Sequence, residues 1–168
     1  ENYNFDTLMT YIRPEMAEFI INNEATPEKQ ERVKLIMFMW AATKNNKEMM
    51  NYFLNKGLNI NKKDEFGKTA LYYVILNIDN DSCDYSELGY DTLSFLIEKG
   101  ANFDKVDNKK SALMVAVERN KNAELVEFLL KSKADINYLS EDGYTAYDYV
   151  KQFNIKELDK IFKKYMKK

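Results

Sequence analysis

The sequence predicts an all-α protein, a solenoid of about five stacked helix pairs, on three observations. An acidic residue recurs at Glu15, Glu48, Asp91, Glu124 and Glu157, in steps of 33 residues except for one step of 43. Apolar residues stand one, four and five positions after most of these acids, which places them on one face of a helix. Only 5 Gly and 2 Pro occur in 168 residues, too few for many short strands joined by tight turns.

Capping signals place the individual helices within this register. Thr26 followed by Pro27 is typical of an N-cap and a first helical residue, and it predicts the longest helix. Thr69, Ser111 and Thr145 each precede an apolar stretch in the later units and are expected to cap it. The predicted helices lie near residues 5–13, 15–23, 27–44, 47–56, 68–77, 90–99, 111–119, 122–132, 145–152 and 155–166.

Two glycines mark the ends of helix pairs. Gly57 and Gly100 stand nine residues after the repeated acid, where a left-handed residue ends a helix. Lys133 stands at the same register position, where a left-handed conformation would be strained by about 1 kcal/mol. Each unit is therefore predicted to consist of a helix, a short turn, a second helix and an extended hairpin-like turn.

Four segments of the chain resemble the ankyrin repeat. Residues 64–74 (DEFGKTALYYV) and 140–150 (SEDGYTAYDYV) are similar to the family pattern D-x-x-G-x-T-P-L-H-x-A. Residues 96–104 (LIEKGANFD) and 129–137 (LLKSKADIN) are similar to its ending, L-L-x-x-G-A-D-V-N. The resemblance extends over about residues 36–160 and implies an ankyrin-type stack with a concave face that holds another protein.

The chain departs from the family pattern at defined positions. A third copy of the turn, residues 107–116, is one residue short and lacks the glycine. The family's proline is alanine in each copy, and its histidine is replaced as well, so the turn-stabilising histidine network that the family implies is absent. The replacing residues are Ala70, Ala112 and Ala146 for proline, and Tyr72, Met114 and Asp148 for histidine.

The register divides the chain into one domain of five units. The first lacks its hairpin and is expected to be an atypical cap, and the last replaces apolar positions with lysine, which suits a closing cap. A membrane-surface helix is the alternative interpretation of that lysine-rich end. The predicted units are residues 1–33, 34–63, 64–106 with an insertion at about 78–89, 107–139 and 140–168.

Few residues offer catalytic or metal-binding chemistry. The chain has no histidine, which removes Ser-His-Asp and Cys-His systems and the usual zinc spacings, and it has no glycine-rich phosphate loop. The insertion carries Asp79, Asp81, Asp84 and Glu87, which are oxygen ligands of the kind that calcium takes, but Cys83 interrupts the EF-hand pattern. We interpret the insertion as a solvated acidic loop and predict no catalytic, cofactor-binding or metal-binding residues, and hence no enzyme.

Charge and cysteine content narrow the range of partners. The formal net charge of −2 does not provide the positive field that binds phosphate backbones, so we expect no nucleic acid. No apolar run reaches membrane-span length, so no membrane association is expected. The single cysteine excludes an internal disulfide and leaves the compartment open: cytoplasmic, or exported with a signal removed. We expect a monomer.

Two functions remain on these grounds. The first is a protein–protein interaction scaffold that binds a partner through the concave face; the second is a regulatory or targeting domain of a larger, possibly enzymatic, protein. For the first, the resemblance and the register assign the groove to residues at the turns and at the ends of the first helices. The candidate partner-binding residues are Glu65, Phe66, Lys68, Leu76, Val106, Asn108, Lys109, Lys110, Glu118, Arg119, Leu139, Glu141, Asp142, Tyr144, Gln152 and Phe153.

Overall fold

The computed structural model describes residues 12–78, 83–120 and 122–167, and every regular element in those ranges is helical. The predicted all-α class is therefore confirmed, while the helix expected near residues 5–13 lies almost wholly outside the described residues. The helices are α1 (Pro14–Asn22), α2 (Pro27–Thr43), α3 (Lys47–Asn55), α4 (Ala70–Asn77), α5 (Cys83–Glu98), α6 (Ala112–Val115) with a π-helical turn (Ala116–Asn120), α7 (Ala123–Lys131), α8 (Ala146–Gln152) and α9 (Lys156–Met166).

The helices form two layers around one continuous core. α2, α4, α6 and α8 stack on one another in the first layer, and each packs against its own partner, α3, α5, α7 or α9, in the second. α1 packs against α2 at the beginning of the stack. In the last four units the residues one and five positions after the repeated acid are buried, among them Phe53, Leu96, Leu129 and Phe162, whereas Met16 and Phe19 of the first unit are exposed. A unit buries its apolar face only against its neighbours, which is why the stack is held together unit by unit.

The predicted caps form. Thr26, Thr69 and Ser111 each accept a backbone hydrogen bond at the first turn of their helix, and Thr145 does so within a complete capping box with Asp148. Left-handed backbone occurs at Gly57, Gly100 and Lys133, with φ of 86°, 90° and 69°. Lys133 thus shares the conformation of the two glycines at its register position. None of the helices in the described ranges is both long and apolar enough to cross a bilayer.

The insertion is helical rather than a loop from Cys83 onward. α5 begins at Cys83, not near residue 90, so the interpretation of residues 83–89 as a solvated loop is wrong. Gly89 lies on this added segment against Ile78, and a Cβ there would stand 2.5 Å from Ile78 Cγ1. Because Gly89 has no side chain, the longer helix can approach Ile78 closely.

Two of the four acidic residues of the insertion belong to a helix rather than to a loop. Asp84 and Glu87 lie within α5, and Asp79 and Asp81 fall outside the described residues. Among the residues that the structure describes, no group of three or more Cys, Asp or Glu side chains is placed to hold a metal ion.

The fourth unit contains a π-helical turn for a reason visible in the sequence. Its hairpin is one residue shorter than the others, since Asp107 and Ser111 are four positions apart where Asp64 and Thr69 are five apart. The repeat of 33 residues is nevertheless kept, so the first helix of this unit has to hold one residue more. The turn at Ala116–Asn120 accommodates the extra residue.

Adjacent units are joined by an asparagine at the turn. The Asn61 side chain donates to the Gly100 carbonyl (3.2 Å) and accepts from the Asn102 N–H (2.8 Å). Asp104 has the equivalent register position in the next unit, where its carboxylate accepts from the Asp135 N–H. Its Oδ1 is buried and has no hydrogen-bond partner in the described part of the chain. A carboxylate cannot donate as the Asn61 amide does, so one half of the junction is missing.

We expect Asp104→Asn to raise the free energy of unfolding at pH 7 by about 1 kcal/mol, because the amide supplies the missing donor. Burial, and then the charge of Asp135, raise the pKa of Asp104 above its ordinary value. A raised pKa in the folded state means that the wild type loses stability as the pH rises above about 4. The gain from Asp104→Asn should therefore appear in denaturant titrations at pH 7 and shrink at pH 3; an equal gain at both would contradict this account.

Candidate functional site

Three hairpin turns project from the first helix layer. We call them finger A (residues 62–68), finger B (residues 105–110) and finger C (residues 138–144). In finger A, Asp64 Oδ1 accepts the N–H groups of Phe66 and Lys68, both at 2.9 Å, and the Tyr73 hydroxyl donates to Asp64 Oδ2 at 2.5 Å. In finger C, the Tyr144 N–H donates to the Ser140 hydroxyl at 3.1 Å. These bonds fix the turn tips, so the exposed side chains are held on a preformed surface.

Finger A faces an unusually long first helix. α2 has 17 residues, whereas α4 has 8 and α8 has 7. No hairpin precedes α2 in the described chain. Beside finger A, about two additional turns of α2 occupy the position that a hairpin has in the later units. Arg32 pairs with Glu65 at 2.8 Å and Lys62 pairs with Glu31 at 3.0 Å, which ties the helix to the finger.

These ion pairs position the two walls rather than stabilise the fold. Both lie at the surface, where an ion pair contributes at most about 1 kcal/mol. Hydrogen bonds from Lys34 and Lys62 lower the pKa of Glu31, so the carboxylate keeps both ion pairs to a lower pH than a solvated glutamate would.

An open groove of about 1280 Å³ lies between α2 and finger A. Leu35 and Met39 form buried parts of its floor, and the Ile36 side chain is exposed beside them. Trp40 is half-buried, with the Lys44 ammonium 5.5 Å from its ring centroid, and Phe66 stands exposed on the opposite wall. An apolar floor with a charged rim is the usual anatomy of a protein interface. The groove exceeds the ~300–1,000 Å³ of small-molecule pockets.

Tyr73 also lines this groove and is neutral there. Burial and its hydrogen bond to Asp64 both raise the pKa of its hydroxyl well above the ordinary value. The side chain therefore serves as a hydrogen-bonded wall of finger A and not as an acid or base near neutral pH.

A second aromatic cluster lies beside finger C. The Tyr144 and Tyr149 rings are 6.1 Å apart between centroids, and Tyr149 stacks on Phe153 at 6.2 Å. Lys110 approaches the Tyr149 ring at 5.5 Å while it pairs with Glu118 at 2.5 Å. Through Lys110, finger B therefore contacts both the π-helical turn and α8 on the surface of the first helix layer.

The structure places the sequence-predicted residues unevenly. Phe66, Leu139 and Tyr144 are 68%, 60% and 52% exposed at the finger tips. Lys68, Lys110 and Glu118 are half-buried. The other exposed candidates are Glu65, Leu76, Asn108, Lys109, Arg119, Glu141, Asp142, Gln152 and Phe153.

Val106 is a correction, because its side chain is fully buried and cannot face a partner. Its carbonyl oxygen accepts from the Thr69 N–H (2.9 Å) and hydroxyl (3.1 Å) of the preceding unit. Finger B is one residue shorter than fingers A and C, and this residue lies inward there. Leu139, at the same register position in finger C, remains exposed.

Asn108 is exposed but already engaged within the protein. Lys63 Nζ donates to the Asp107 carbonyl (2.8 Å) and to Asn108 Oδ1 (3.3 Å), which joins finger A to finger B. The Asn108 side chain also lies directly against Gly67. The contact fixes the spacing of the two fingers.

Sequence reasoning missed the α2 face of the groove. Residues 35–42 are apolar without interruption, so helical periodicity alone does not separate core positions from groove positions such as Ile36 and Trp40. The missing hairpin before Thr26, together with the length of the helix that follows, was the available signal. Tyr149 was missed because it lies in the middle of its helix rather than at the end.

Comparisons with known proteins agree with this architecture. Two family models described as ankyrin repeats (many copies) match residues 38–79 and residues 96–150. An ankyrin repeat protein of Fowlpox virus (strain NVSL) is 41% identical over 81 residues, which is 48% of this chain. The matched region is 17% of the viral protein, so this chain is similar to only a small part of that relative.

Proposed function

This chain belongs to the ankyrin repeat family, and we propose that it is a scaffold that binds a partner protein through its concave face. Ankyrin repeats are generally protein–protein interaction modules and typically have no enzymatic activity. The concave face here comprises the groove between α2 and finger A, the finger tips and the outer side of α8. We propose that one partner segment contacts all three.

The groove is the observation that supports this proposal most strongly. It places the exposed Phe66 and Ile36 side chains around Trp40, inside a rim of charged residues. Aromatic side chains in such surroundings dominate binding energies in protein interfaces. The second aromatic cluster, Tyr144 and Phe153, extends the same face toward the last unit.

A regulatory or targeting domain within a larger protein is the second candidate. It is favoured by the fowlpox relative, of whose length the matched region is about a sixth. Partner binding through the concave face would be the means of targeting in that case as well, so the same surface experiment applies to both candidates.

The experiment replaces Phe66, Leu139 and Tyr144 together with serine. All three side chains are exposed, so we expect the melting temperature to change little. Affinity capture from the source cell, quantified by mass spectrometry, should recover the main partner about tenfold less efficiently or worse, because anchors of this type are worth ~2 kcal/mol or more.

A matched variant replaces Met16, Phe19 and Met166 with serine. These side chains are exposed to a similar degree on α1 and α9, away from the fingers. This control should capture the partner as the wild type does. Unchanged capture by the finger variant, or equal loss in both variants, would show that the concave face is not the binding surface.

A further inference from the structure

Finger B presents positive charge to solvent. Lys105 and Lys109 are exposed, and neither forms an ion pair in the described part of the chain. The half-buried Asp107 carboxylate offsets one of these charges, and its Oδ1 accepts the N–H groups of Lys109 and Lys110. Lys110 is in turn held by Glu118. Finger B therefore keeps a net positive charge, and its exposed charged groups are the ammonium groups of Lys105 and Lys109.

Finger C presents the opposite charge at the corresponding tip. Glu141 and Asp142 are exposed, and no ion pair involving them is formed among the described residues. Leu139 and Tyr144 are exposed on either side of them. The tip thus combines two carboxylates with two apolar side chains.

The two fingers do not neutralise one another. They belong to adjacent units, whose helices are packed about 8–10 Å apart. No ion pair joins the two tips in the described part of the chain, and at a separation of about one Debye length (~8 Å at physiological salt) their attraction is partly screened. The electrostatic potential of the concave face is therefore positive at finger B and negative at finger C.

We propose that the partner is a polypeptide segment that carries an acidic group for finger B and a basic group for finger C. This inference rests on the proposed function. From the general spacing of packed helices we expect the two groups to be about 10 Å apart, which is the span of roughly three residues in extended chain. Apolar side chains of the segment lie on Leu139 and Tyr144. Complementary charges of this kind fix register and exclude wrong partners more than they add affinity.

Three synthetic peptides test the proposal. All carry the same apolar residues and two charged positions three residues apart, occupied by Glu and Lys, by two Glu or by two Lys. Fluorescence anisotropy at low ionic strength should show the mixed peptide binding the wild type about fivefold tighter than either other peptide. The variant Lys105→Glu/Lys109→Glu should instead prefer the peptide with two Lys.

The control variant Lys160→Glu/Lys167→Glu makes the same charge change on α9 and at its C-cap, away from the fingers, and should keep the wild-type preference. Equal or absent binding of the three peptides, or a preference that Lys105→Glu/Lys109→Glu leaves unchanged, would overturn the proposal. So would sedimentation showing a wild-type dimer that this variant dissociates, since a second copy would then be the occupant. Loss of partner capture by the serine variant of Phe66, Leu139 and Tyr144 would still support the proposed function in each of these cases.

Discussion

Replacing Phe162 with alanine is expected to lower the free energy of unfolding by about 3–5 kcal/mol, the usual cost of removing a buried phenyl ring. Phe162 is fully buried in α9 and stacks on Tyr147, with 5.6 Å between ring centroids and planes 19° apart. α9 packs on both α7 and α8, so the cavity would open between the last two units. Denaturant titration followed by circular dichroism measures the loss.

The loss should be local because a solenoid is held together by contacts between neighbouring units. Hydrogen exchange should rise throughout α8 and α9 while α2–α4 keep wild-type protection. Met166→Ala is the matched control: the side chain is exposed on the same helix, and its removal should change stability by less than ~0.5 kcal/mol. Protection lost evenly along the chain would contradict the unit-by-unit account.

A second large effect is expected from Gly67→Ala in finger A. Gly67 has φ of 74°, and its added Cβ would stand 1.9 Å from Asn108 Nδ2. Left-handed backbone costs a non-glycine residue about 1–2 kcal/mol. Displacing Asn108 also breaks its contact with Lys63, so we expect a total of about 2–3 kcal/mol.

Gly143→Ala is the matched comparison in finger C. Gly143 has φ of 79°, but a Cβ there would meet nothing within 4 Å. Its cost should therefore be the backbone term alone, and the difference between the two variants measures the contact between fingers A and B. In an Asn108→Ala background, where this contact is already absent, Gly67→Ala should cost only the backbone term in thermal melts. Equal costs at the two glycines would show that the fingers are energetically independent.

Much of the fold could be predicted because repeat register, helix caps and turn residues act over short distances in sequence. Thr69 and Thr145 cap the helices expected of them, and Lys133 adopts the backbone of the glycines whose place it takes. The unit divisions remain a prediction. The exposure of Phe66 follows from its place at a turn tip held by Asp64, which the sequence pattern also indicated.

The sequence by itself determined the class of protein, since a 33-residue repeat of amphipathic helices and capped turns has one stable arrangement, a stack. Only the tertiary structure decided which apolar side chains are core and which are surface. Ile36 and Val106 illustrate this, because burial depends on which neighbouring unit lies over a residue and not on the residue type. Such contacts join residues of neighbouring units that are far apart in the sequence, so no local pattern records them.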